Sequence, residues 1–114
     1  MPNRVVTEEQ LVHVEQPDTD LAAVALTDVL KAVADPVRLQ IVKVLATGGP
    51  ATKSETDWGC EALSRATMSH HFKILREAGL TSTVVHGRTQ TVRLRCEELE
   101  KHFPGLIPSI AALA

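Results

Sequence analysis

The chain is poor in several things that would have pointed elsewhere. Among its 114 residues there are only two cysteines, Cys60 and Cys96, too few for a disulfide framework. No apolar run approaches the roughly 18 residues needed to span a bilayer. The first residues, Met1-Pro-Asn-Arg4 followed by Glu8 and Glu9, lack the apolar core of a signal peptide. The cytoplasm is therefore the expected location, with no membrane partner. Internal repeats and low-complexity runs are missing too. So are a phosphate loop, an HExxH pair and any nucleophile–base pairing, which leaves no sequence basis for an enzyme. What remains is 44% hydrophobic and 23% charged, the make-up of a small globular domain with a single core.

Net charge is also small, at −2, but the average conceals a segregation. Residues 1–20 hold one arginine and five acids. Residues 62–95 hold Arg65, Lys73, Arg76, Arg88, Arg93 and Arg95 against Glu77 alone, a local net charge of +5. A basic patch of this kind attracts phosphate within about a Debye length, roughly 10 Å, whatever the total charge.

Within that patch, Leu63 to Gly79 reads as one helix with two faces. At 100° per residue, Met68, Phe72 and Leu75 form an apolar stripe, with His71 at its edge. Ala66, Ser69, His70 and Lys73 form the opposite stripe, which is small, hydroxylic and basic, with no carboxylate. Such a face presses closely into an anionic groove and offers donors to base edges and phosphates. Ser64 is placed as its N-cap and Gly79 as its C′ residue, with Leu80 folding back on Leu75. His71 is expected to support the helix more than to meet DNA.

The flanking segments complete the order. Thr7-Glu-Glu-Gln10 matches a capping box, predicting a turn of helix through Leu11 and Val12 that ends at Gln16-Pro17-Asp18. A helix is predicted from Asp20 through Val33. Asp35-Pro36 then restarts the chain as N-cap and first helical residue. The following helix, apolar on more than one side, is a central core element that Gly48-Gly49-Pro50 stops. Ala51-Thr-Lys53 reads as a short edge strand, and Ser54 as the cap of a brief helix through Trp58. After Gly79 the period changes to two. Thr81–His86 and Thr89–Arg95 flank Gly87-Arg88, a loop suited to a type II′ hairpin, with Val92 and Leu94 inward and Thr91, Arg93 and Arg95 outward. Glu97 to His102 is helical, Phe103-Pro104-Gly105 interrupts it, and an apolar tail follows.

The expected fold is thus mainly α with a β-hairpin wing. At three points the resemblance is specific. Asp28-Val-Leu-Lys-Ala-Val-Ala-Asp-Pro-Val-Arg-Leu-Gln-Ile-Val42 resembles the opening motif of ArsR/SmtB-type winged helix-turn-helix transcriptional repressors. Ser69-His-His-Phe-Lys-Ile-Leu-Arg-Glu-Ala-Gly-Leu80 resembles their recognition helix, and His86-Gly-Arg-Thr89 their wing tip. The likeness runs over about residues 20–107. It divides the chain into an acidic, flexible arm at 1–19 and a winged helix-turn-helix domain at 20–114.

That resemblance implies a homodimer on a palindromic double-stranded DNA operator, released by an effector that the sequence does not identify. The first helix and the apolar tail, which carry more hydrophobic surface than one small core buries, agree with a dimer. The recognition helix, about residues 64–78, would lie in the major groove, and the wing, residues 81–95, on the flanking backbone or minor groove. Carried over residue by residue, Ser64, Arg65, Thr67, Ser69, His70 and Lys73 serve the major groove, while Arg88 approaches the minor groove or its phosphates.

Sensor chemistry in the family uses Cys, His and carboxylate clusters. Trp58-Gly-Cys60 supplies one thiol where closely spaced cysteines are needed. Glu100-x-His102 has no ligating residue after it, short of the three or four that zinc requires. No metal or other cofactor is therefore expected, and Cys60 and Cys96 stand as candidate redox or soft-metal sensors against a reading as small buried hydrophobes. The alternative to DNA binding is a winged helix that docks a protein through the 66/69/70/73 face. The lack of an aromatic there disfavours it, since protein hot spots favour Trp and Tyr.

Overall fold

The computed structural model describes residues 12–14 and 18–113. Its elements in chain order are β1 (Val12–Val14), a short 3-10 helix (Leu21–Ala23), α1 (Leu26–Val33), α2 (Pro36–Gly48), β2 (Ala51–Thr52), α3 (Arg65–Glu77), β3 (Thr81–His86), β4 (Thr89–Leu94), α4 (Cys96–His102) and α5 (Leu106–Ala112). This is a winged helix-turn-helix fold, mostly helical, with the hairpin directly after α3.

Local chemistry fixes most boundaries. The Asp35 carboxylate accepts from the backbone N–H groups of Val37 and Arg38 at 2.9 and 3.0 Å, and Pro36 opens α2, as the sequence predicts. Gly49, with φ of 80°, closes that helix. Ser64 caps α3 through a 3.1 Å bond from Thr67 N–H. At the other end Gly79 adopts a φ of 85°. Its N–H donates to the Arg76 carbonyl and the Leu80 N–H to the Leu75 carbonyl, both at 3.0 Å, the paired bonds of a Schellman motif. The two-residue turn Gly87-Arg88 has positive φ at Gly87 alone (58°), as type II′ requires and type I′ does not.

One core serves the whole domain. Ile41, Val42 and Leu45 of α2 sit at its centre, with Val29 and Ala32 of α1 on one side. Leu21, Trp58, the α3 residues Phe72 and Leu75, Leu80 just before the hairpin, Val92 and Leu94 of β4, Leu99 of α4 and Ile107 of α5 complete it. The inward stripe of α3 is the one the 3.6-residue period marks out, and Val92 and Leu94 face in as alternation demands.

The sheet is larger than a two-stranded ribbon. β3 and β4 pair antiparallel with His86 opposite Thr89 and Thr81 opposite Leu94. β2 adds to β4, Ala51 opposite Val92, and β1 adds to the outer edge of β3, Val12 opposite His86. The order is β1-β3-β4-β2. Val12 is therefore strand, which overturns the helical turn expected through Leu11 and Val12. The capping-box signal is local, whereas the open N–H and C=O row of β3 is a tertiary template for an added strand. The rest of that expected turn, with most of the acidic arm at 1–19, lies outside the described residues.

Three further expectations are corrected. The first helix begins at Leu26, because Asp20 caps a 3-10 turn and Val24 and Ala25 run extended. No helix forms between Ser54 and Ala62. There Asp57 Oδ1 accepts from Gly59 N–H at 2.9 Å, an alternative to helical pairing, and Gly59 takes a φ of 76°. The Trp58 indole N–H donates to the Lys53 carbonyl at 3.0 Å, so the segment is a chain of turns folded around a buried tryptophan. Finally, Arg95 is not outward: it is 3% exposed, just beyond the end of β4.

Candidate nucleic-acid interface

The outward face of α3 starts at its cap. Ser64 and Thr67 engage one another, the serine hydroxyl donating to Thr67 Oγ1 at 2.9 Å while it accepts from the Thr67 backbone. Both are exposed, as are Arg65, Ala66, Ser69, His70 and Lys73. The opposite stripe is fixed: Phe72 and Leu75 are buried and Met68 is half-buried. The polar stripe therefore projects from a helix that packing and both caps hold rigid.

His71, at the stripe's edge, supports the helix. Its Nδ1 lies 3.2 Å from an Arg38 guanidinium nitrogen. An arginine only donates, so that bond uses an unprotonated Nδ1. Arg38 also donates to the Ala32 carbonyl at 2.6 Å, which joins the end of α1, the start of α2 and the middle of α3. Asp35 Oδ2 lies 3.8 Å from the same histidine nitrogen. The Asp35 carboxyl sits below its ordinary value chiefly because the Arg38 backbone N–H binds its charged form, with Val37 N–H and the Arg38 charge assisting.

Between the first turns of α3 and the wing lies a cleft of about 190 Å³. Lys53, Ser54, Arg65, Met68, Ser69, Phe72, Arg88 and Gln90 line it. Three of the sequence candidates, Arg65, Ser69 and Arg88, thus share one concavity. Lys73 and His70 lie on the same exposed helix face but do not line it. The basic patch is smaller than the sequence count: Arg76 and Arg95 are 7% and 3% exposed, leaving Arg65, Lys73, Arg88 and Arg93 at the surface.

Arg95 instead binds the fold together. Its guanidinium donates to both Glu98 oxygens at 3.0 and 2.8 Å, to the Thr19 carbonyl at 2.7 Å and to the Gly79 carbonyl at 3.2 Å. The Glu98 carboxyl is held below its ordinary range, first by its bond from Arg95.

Sequence reasoning missed Lys53 and Gln90. Lys53 Nζ donates to Gln90 Oε1 at 2.8 Å and stands 5.2 Å from the centre of the Phe72 ring. Trp58 meets the same ring edge-on at 5.2 Å. A lysine following an edge strand carries no motif; only the β2–β4 pairing brings it to the cleft. The two thiols, both free, are not alike. Cys60 is half-buried beside a second cleft of about 290 Å³ whose lining includes Glu55, Asp57, Glu61 and Trp58. Burial, then the Glu61 and Asp57 charges, raise its pKa, so the thiolate is disfavoured. Cys96 is exposed at the start of α4. Among the described residues no three His, Cys, Asp or Glu side chains gather to hold a metal ion, and no helix is long and apolar enough to cross a membrane.

Comparison with known proteins bears on the family to which this fold belongs. A helix-turn-helix domain model matches residues 33–84, from the end of α1 into β3. The chain is similar to the uncharacterized HTH-type transcriptional regulator YceK of Bacillus subtilis (strain 168). The two are 36% identical over 83 residues, a span covering 72% of this chain and 82% of the relative. The chain belongs to the DNA-binding helix-turn-helix transcriptional regulators.

Proposed function

We propose that the protein is a cytoplasmic, non-enzymatic repressor of the ArsR/SmtB type, acting as a homodimer on a palindromic operator and released by an effector. The observation that carries the DNA geometry is the rigid, exposed polar face of α3 from Ser64 to Lys73, followed by a carboxylate only at Glu77 in the last turn, beside a wing whose tip presents Arg88. In this reading Ser69 and His70 meet base edges in the major groove, with Ser64 and Thr67 at the helix entrance. Arg65 and Lys73 bind phosphate or guanine, and Arg88 reaches the minor groove or its flanking phosphates.

The dimer is supported by where apolar surface remains. Leu26 and Leu30, one turn apart on α1, are 49% and 44% exposed, and Leu113 after α5 is 84% exposed. These are the two regions whose hydrophobic excess the sequence signals. A two-fold axis through them sets the recognition helices about one DNA turn, roughly 34 Å, apart.

For the effector, Cys96 is the more accessible thiol and Cys60 the less reactive one. A metal and an oxidant are separated by one experiment. Binding to DNA upstream of the protein's own gene is titrated in apparent affinity and in salt, with and without metals, chelator and oxidant. A steep negative salt slope is expected, relieved by one of these additions. A chain that binds no duplex at low salt overturns the DNA geometry. Binding that no addition relieves overturns an effector of the metal or oxidant class.

A further inference from the structure

We propose that the cleft between the wing and the start of α3 is a seat for one backbone phosphate of duplex DNA, with Lys53 as its third cation beside Arg65 and Arg88. The proposal rests on the DNA geometry proposed above and adds to it a residue from outside both the recognition helix and the wing.

Three separate elements deliver the charge. Arg65 comes from the first turn of α3, Arg88 from the tip of the hairpin and Lys53 from the end of β2, and all three line the same cleft of about 190 Å³. Among the described residues no carboxylate lines it, while Ser54 and Ser69 do. Its apolar floor, Met68 and Phe72, keeps water from competing on that side and lowers the screening of charges above it.

Lys53 is placed by the fold and not by chance of rotamer. Its backbone N–H donates to the Gln90 carbonyl at 2.9 Å, and its own carbonyl accepts the Trp58 indole. The side chain is drawn over Phe72 and tied to Gln90 Oε1. An ammonium held in this way loses less rotamer entropy on meeting an anion than a free surface lysine does. The neighbouring cleft has the opposite charge. Glu55, Asp57 and Glu61 line it, and Met68 lines both clefts. A phosphate approaching the foot of α3 is thus attracted to one side of Met68 and repelled from the other, which gives the strand a register.

The test uses the full chain and a fluorescently labelled duplex of mixed sequence, whose binding is carried by phosphates alone. Affinity is followed from about 50 to about 200 mM salt. Lys53→Met is expected to bind about tenfold more weakly at the low-salt end and to flatten the log–log salt slope by about one unit. Lys53→Arg is expected to keep the slope. Lys53→Met combined with Arg88→Gln is expected to lose less than the product of the two single losses, because both serve one phosphate. Lysine acetylation footprinting of the unmutated protein needs no variant to fold, and Lys53 is expected to be protected by saturating duplex. A Lys53→Met slope equal to the parent's, strictly multiplicative losses, or unchanged Lys53 acetylation each overturn the seat while leaving DNA binding intact. A parent chain that does not bind the duplex overturns the DNA geometry itself.

Discussion

Arg88 and Arg95 stand at opposite ends of strand β4 and have opposite fates. Arg88 is exposed at the wing tip and lines an open cleft. Arg95 is buried at the wing base, its guanidinium donating to the Glu98 carboxylate and to the Thr19 and Gly79 carbonyls. A guanidinium removed from water must have its donors satisfied, and the base of the wing supplies acceptors that the tip does not. The tip's charge is left for a partner and the base's charge is consumed by the fold. Counting charges along the chain cannot make this distinction.

The sharpest test of the contrast is at the base. Arg95→Ala leaves the Thr19 and Gly79 carbonyls and the Glu98 carboxylate without their donor and is expected to cost about 3 kcal/mol or more of folding stability, read by urea unfolding. Arg95→Lys does not restore it, since one ammonium cannot span these acceptors. A loss below about 1 kcal/mol would show that the base is no more committed to the fold than the tip.

Gly79 comes next, because it lies between the recognition helix and Arg95. A Cβ at this position would stand 3.2 Å from Leu21 Cγ and closer still to its Cδ2, with Arg95 at 3.7 Å. The backbone there has a φ of 85°. Gly79→Ala is therefore expected to cost about 2 kcal/mol, combining left-handed strain with displacement of a buried leucine. Thermal melting checks it. Gly87→Ala, also at positive φ but with nothing within 4 Å, isolates the conformational part and should cost less.

A smaller effect is expected where charge is spent on caps. Asp35→Ala should lose about 1 kcal/mol, the usual cost of an N-cap. Asp35 and Glu98 are both held below their ordinary values of 3.8 and 4.5 in the folded chain. The unfolded chain therefore takes up their protons first as pH falls. Their contribution is complete above those ordinary values and is lost as pH drops through them toward the depressed folded ones. Stability measured from neutral pH downward should decline below about pH 4.5, and the decline should be shallower in Asp35→Ala and Glu98→Gln. Equal slopes in the parent and both variants would sink this assignment.

These residues also show what the sequence makes legible. The caps of α2 and α3, the Schellman end of α3 and the type II′ turn are local: each is a side chain or glycine acting on backbone within a few positions. The winged order of elements follows from them and from two hydrophobic periods. What escaped is tertiary. Residues 54–62 carry a Ser cap, but Trp58 buried against Phe72 and Gly59 at positive φ turn them into loops. Val12 became strand because β3 offered an edge. Lys53 entered the cleft through the pairing of β2 with β4, and Arg95 left the surface because Thr19 and Gly79 presented carbonyls. Local patterns do not encode what an element will meet.

The smallest stability changes belong to the tip and the outer face of α3, and there the contrast reverses. Arg88→Ala and Lys73→Ala remove exposed cations, so each should unfold within about 0.5 kcal/mol of the parent. Their effect should fall on DNA instead. Lys73→Ala is expected to weaken binding to every duplex sequence alike and to lower the salt slope by about one unit, as loss of one phosphate contact does. Ser69→Ala and His70→Ala should leave that slope unchanged while altering preference among sequences, because base edges release no counterions. If Lys73→Ala leaves the slope at the parent's value, Lys73 is no phosphate ligand. The anionic surface would then be met by Arg65, Lys53 and the wing, which moves the strand toward the cleft and away from the end of α3.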